Sequence, residues 1–155
     1  MATLTATITE ALTLNGKDRG STNTLTLTGI NDVYHRIVTC PANNDTTIAS
    51  FRSAVSGVRS FVDIENAAYI RVTNLDGTNS VNLSLQVSLA EGSTADASAS
   101  ILLEAGKSFI MGTPHDGISV SDANATIVTS LNDLESLLVD PSANSVQVEV
   151  FIATT

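Results

Sequence analysis

The sequence predicts an all-β protein: an antiparallel β-sandwich of jelly-roll-like type, formed by residues 1–155 as one domain, with one short helix near residues 130–139. Three observations lead there. Apolar and polar side chains alternate with a period of two over many short runs, which is the pattern of half-buried strands. Asn-Gly, Asp-Gly and Ala-Gly pairs separate those runs, supplying residues that tolerate positive φ in tight turns. Finally, Thr, Ser and Asn fill the polar positions where charged residues are scarce, and threonine keeps strand propensity while covering a solvent face.

The first run sets the pattern. Leu4, Ala6 and Ile8 fall on one face and Thr3, Thr5, Thr7 and Thr9 on the other, because successive strand side chains point in opposite directions. Thr24-Leu25-Thr26-Leu27-Thr28 repeats this arrangement, although two similar strands make no internal repeat. Further strands are predicted over 33–40, 46–51, 68–74, 81–88, 100–103, 107–111, 118–120, 125–128 and 146–153. Turns are expected at Asn15-Gly16, Asp76-Gly77, Ala105-Gly106 and Asp116-Gly117, and an exposed loop over 91–98. The helix prediction rests on Ser130-Leu131-Asn132-Asp133 as cap and first turn, on Leu131, Leu134 and Leu138 at helical spacing, and on Asp140-Pro141 as the stop.

Composition narrows the classes of partner. Charged residues are 15% of the chain, against about 25% in an average domain, while 43% of residues are hydrophobic, a balance that folds rather than stays disordered. The net charge is −9, and no basic residue follows Lys107. A phosphate-binding surface needs clustered Lys and Arg, so neither nucleic acid nor an anionic membrane is an expected partner. No run approaches the roughly 18 apolar residues of a membrane-spanning helix. The N-terminus lacks the basic and apolar regions of a signal peptide, so synthesis in a cytoplasm is expected. Asn44, Asn82 and Asn124 head glycosylation sequons of the kind an Asn-, Ser- and Thr-rich chain generates by chance.

No catalytic, cofactor-binding or metal-ligating residue is predicted. His35 and Cys40 could in principle form a base and nucleophile, but their odd separation in a strand puts them on opposite faces, which reads as a rim histidine and a buried thiol. His115-Asp116 sits in a turn beside Pro114 with no nucleophile elbow to accompany it. Asp116, Asp122 and Asn124 offer oxygen ligands, yet their spacing departs from the calcium-loop pattern. Nucleotide-binding glycine loops are missing, and the aromatics Tyr34, Phe51, Phe61, Tyr69, Phe109 and Phe151 are too few and scattered for a stacking platform. A lone cysteine also excludes an internal disulfide.

Two segments carry a resemblance. Tyr69-Ile70-Arg71-Val72-Thr73-Asn74-Leu75-Asp76-Gly77-Thr78-Asn79-Ser80-Val81 and Leu102-Leu103-Glu104-Ala105-Gly106-Lys107-Ser108-Phe109-Ile110 look like a pattern of small virion proteins of tailed bacteriophages. There an aromatic-led strand ends in an Asn-Leu-Asp turn, a second strand follows, and the later segment makes a hairpin. Residues 10–16 and 30–38 are similar to N-terminal segments of such proteins. The resemblance implies a non-enzymatic β-sandwich that decorates the capsid, or serves as a tail, fibre-base or head-tail accessory protein. It further implies location in the virion, many copies or a homo-oligomer, and the major capsid protein or other virion proteins as partners. A carbohydrate-binding or adhesion module is the alternative that the fold class leaves open. The strand at residues 3–9, by strand addition, and the acidic C-terminal third are the expected contact elements.

Overall fold

A computed structural model describes residues 1–53, 61–89, 95–121 and 127–155, and among them thirteen strands and no helix. The first thirty residues form a ribbon that hydrogen-bonds as a sheet of its own. Strands β1 (Ala2–Glu10) and β4 (Ser21–Ile30) pair antiparallel along their whole length, and a small hairpin of β2 (Thr13–Leu14) and β3 (Lys17–Asp18) closes the far end. The turn at that end is the predicted one, with Asn15 at φ 52° and Gly16 at φ 72°. Positive φ at both central residues matches the right-handed twist of the flanking strands.

The other strands build two sheets. One has the order β10–β9–β12–β6–β7, comprising β6 (Thr46–Arg52), β7 (Val62–Asp63), β9 (Val81–Ser88), β10 (Ala97–Leu103) and β12 (Asp133–Pro141). The second has the order β11–β8–β13–β5, comprising β5 (Asp32–Cys40), β8 (Ala67–Asn74), β11 (Ser108–Met111) and β13 (Val146–Thr154). Pairing is antiparallel throughout the described residues except between β6 and β7. Both sheets feed one core: Ile48, Phe51, Leu83, Leu85, Leu134, Leu137 and Val139 from the first meet Ile70, Val72, Val148, Val150 and Ile152 from the second. Tyr34 Oη donates to the Ile48 carbonyl at 2.9 Å, a polar bond from one sheet to the other.

Residues 130–139 correct the helix prediction. Asp133–Pro141 is a strand in the middle of the five-stranded sheet, between β9 and β6. The misleading spacing has a physical origin. A β-bulge between Leu134 and Ser136 inserts one residue, so Leu134 and Leu137 both face the core three positions apart, imitating a helical repeat. Leu131, counted as part of that repeat, is exposed.

Other expectations need adjustment. Ile118 makes only an isolated bridge to Asn132 instead of a strand over 118–120. Residues 125–126 of one predicted strand and 91–94 of the predicted loop lie outside the described residues, while Ala97 and Ser98 already belong to β10. Asp76-Gly77 turns without positive φ, whereas Asp116 (φ 45°) and Gly106 (φ 70°) have it.

The two segments singled out by resemblance both cross between the sheets. Residues 74–80 link β8 to β9, and residues 104–107 link β10 to β11, so the later segment is a crossover and not a hairpin. They meet at Asn74, which is fully buried. Its Nδ2 donates to the carbonyls of Asn79 (2.8 Å) and Leu103 (3.1 Å), its Oδ1 accepts from the Asp76 amide (2.9 Å), and its backbone exchanges bonds with Lys107 and Gly106. Asp76 in turn accepts from the amides of Asn79 and Thr78, each at 2.7 Å, which hold its carboxyl below the usual range, the Asn79 bond most.

Candidate interaction site

The outer face of the four-stranded sheet receives the root of the ribbon. On β1 and β4 the partners Leu4↔Leu27 and Ala6↔Leu25 share one ribbon face, as alternation predicts. Leu4, Ala6 and Leu27, with buried Ile30, pack on Tyr69, Phe151 and Ala153. Farther out the ribbon leaves the sheet: Ile8 and Leu25 are exposed, and a cleft of about 300 Å³ opens between residues 4–8 and Tyr69, Arg71, Ile110 and Phe151.

A network of charges lies beside that cleft. Glu149 on β13 faces Arg71 on β8 (2.7 Å) and His35 on β5 (2.8 Å), because these are neighbouring outward positions of adjacent strands. Both contacts hold the Glu149 carboxyl below its ordinary range, that of His35 being the larger. The Arg71 guanidinium also donates to Thr73 Oγ1 and stands 6.0 Å from the Phe151 ring centre, while Tyr69 meets that ring edge-on at 6.1 Å. The group orients side chains on a surface. Among the described residues the side-chain hydrogen-bond partner of His35 is Glu149.

Cys40 points into the core on the opposite face, completely buried, and its thiol is pushed up by desolvation. Near residue 115 the structure makes an unexpected connection. His115 Nδ1 lies 2.9 Å from Asp133 Oδ1, and Asp133 Oδ1 also accepts the Asp116 amide at 2.8 Å. His115 Nε2 is 3.6 Å from Asp116 Oδ2. One imidazole and two carboxylates are a donor set that transition metals accept. Here both ring nitrogens already face carboxylates, and the three groups pin the residue 113–117 turn to the start of β12. Asp122 and Asn124, weighed with Asp116 as oxygen ligands, lie outside the described residues.

The other ribbon face is a ladder of threonines. Thr3↔Thr28, Thr5↔Thr26, Thr7↔Thr24 and Thr9↔Thr22 are direct cross-strand partners, all exposed, with hydroxyl contacts of 3.3 Å in the third pair and 3.4 Å in the fourth. No helix among the described residues is long and apolar enough to cross a membrane. Comparison with protein-family profiles, curated proteins and solved structures finds no match.

Proposed function

We propose that this chain is a non-enzymatic structural protein of a tailed-phage virion, a capsid decoration protein that binds the major capsid protein, folded as a jelly-roll-like β-sandwich. The observation that carries the reading is the ribbon. Two of the 16 acidic and two of the 7 basic residues lie within residues 1–30, so the ribbon is neutral and the net charge of −9 falls on the rest of the chain. A neutral strand pair with an exposed threonine face can enter a neighbouring protein's surface without desolvating ion pairs. Its strands also keep outer edges that are unpaired among the described residues, available for strand addition.

Two further features support the same role. The crossovers at residues 74–80 and 104–107, where the resemblance to phage virion proteins lies, are tied together by hydrogen bonds through Asn74 and suit a scaffold. In a symmetric particle each contact repeats many times, so modest individual contacts hold an array tightly. Mass spectrometry of purified, fractionated virions tests the proposal. The protein is expected in the capsid fraction at high copy number. Recovery with tails would move it to the tail or fibre base, and its absence from particles while abundant in infected cells would overturn the structural role.

A further inference from the structure

The far end of the ribbon is a patch without a counterpart on its own root. Leu14 and Lys17 are cross-strand partners, and the Arg19 amide donates to the Leu12 carbonyl in the next row, so strand alternation puts Leu12, Leu14, Lys17 and Arg19 on a common face. Leu12 and Leu14 are both more than half exposed, and neither cation has an ion pair among the described residues. The hydrogen bonds of this end, such as Ser21 Oγ to Glu10 and the Gly20 amide to Asp18, stay within the ribbon. The tip is hydrogen-bonded within itself and its leucines are not covered by the body.

A matching surface lies on the outer face of the five-stranded sheet. Leu102, Asn82 and Asp140 form one row across β10, β9 and β12, and Ser100, Ser84 and Leu138 form the next. Asp45 and Asp140 flank a depression of about 210 Å³ there, lined also by Asn82, Ser84, Gln86, Ser100 and Leu138. No Lys or Arg occurs in these rows, and neither carboxylate is ion-paired among the described residues.

We infer that the ribbon tip of one copy seats on the five-stranded sheet of a second copy, with Lys17 and Arg19 against Asp45 and Asp140, and Leu12 and Leu14 against Leu102 and Leu138. Two leucines and two cations meet two leucines and two carboxylates. The ribbon is rooted on the four-stranded sheet, so its own acidic face lies across the core from that root and the match is made between copies. The contact joins two different surfaces, so it propagates head to tail into a ring or a chain. It also gives charge complementarity between molecules whose bodies repel each other.

Sedimentation velocity on the full chain, at low and high salt and at concentrations up to roughly 1 mM, the range of weak contacts, tests this directly. The wild type is expected to associate as concentration rises, and less so at high salt. The double variants K17E/R19E and D45K/D140K, each checked for native circular dichroism, should each weaken association by roughly tenfold or more, and an equimolar mixture should restore it. A wild type that stays monomeric, reversed variants that associate as the wild type does, or a mixture that fails to recover would each overturn the inference. These outcomes are separate from the virion test, since self-association is read on the isolated protein.

Discussion

Asn74 gathers onto one side chain the bonds that fasten both crossovers between the sheets. Removing its amide leaves the buried Leu103 carbonyl, and the part-buried Asn79 carbonyl and Asp76 amide, without their partner. Asn74→Ala is therefore expected to lower stability by about 3 kcal/mol, read from urea unfolding, since stranded buried polar groups carry their full desolvation penalty. Alternation alone marks residue 74 as inward-facing, but which carbonyls it serves depends on two crossovers meeting in space. Glu149 is a different case, because its effect depends on pH. Its folded-state pKa lies below the ordinary 4.5, so its contribution is complete above that value and disappears as pH falls through the lower, folded value. Thermal unfolding from about pH 7 to about pH 3 should show Tm falling on the acid side, with Glu149→Gln giving a flatter curve. Equal slopes for the two proteins would remove the His35–Glu149–Arg71 contacts from any part in stability.

Among the elements, the ribbon was the most legible in sequence. The period of two in residues 3–9 and 24–28 and the Asn15-Gly16 turn specify a hairpin by local chemistry alone, and the pairing of threonine with threonine follows from that turn. Strand β12 was illegible for the opposite reason. Its bulge at Glu135 is stabilised by strands β9 and β6, which lie far away in the chain, and their pairing overrides the helical spacing of its leucines. The His115–Asp133 contact was hidden likewise, since 18 residues separate groups that the Ile118↔Asn132 bridge and the Leu134 amide to Pro114 carbonyl bond bring together. The ribbon yields a prediction at its own scale. A Cβ on Gly20 would stand 2.2 Å from the Glu10 carbonyl oxygen, a backbone atom that cannot swing aside. Gly20→Ala should open the ribbon's outer end, speeding amide exchange there by about tenfold, equivalent to about 1.4 kcal/mol of local stability, while amides of the two large sheets keep their protection. Uniform loss of protection would mean that ribbon and body unfold together.

Taken whole, the molecule separates a part that supplies stability from a part that reaches outward. The large buried side chains, among them Phe51, Leu83, Leu137 and Ile152, belong to the two main sheets, whereas the ribbon beyond Ile8 buries little. Two variants put this division to the test together. Leu137→Ala opens a cavity in the shared core and should cost about 3 kcal/mol, which for a chain of this length corresponds to a Tm lower by roughly 10 °C. Replacing residues 11–20 by Asn-Gly closes the hairpin directly on the Glu10↔Ser21 pair with a two-residue turn. It removes Leu12, Leu14, Lys17 and Arg19 yet leaves every core contact in place, so Tm should stay within about 2 °C of the wild type. Calorimetry on the two proteins decides the matter. If the shortened ribbon destabilised the chain as Leu137→Ala does, the tip would be part of the fold's own support. An unchanged Tm would instead mean that the two exposed leucines and the two cations at the tip, without ion pairs among the described residues, contribute little to the chain's own stability, as expected of side chains that serve a contact outside it.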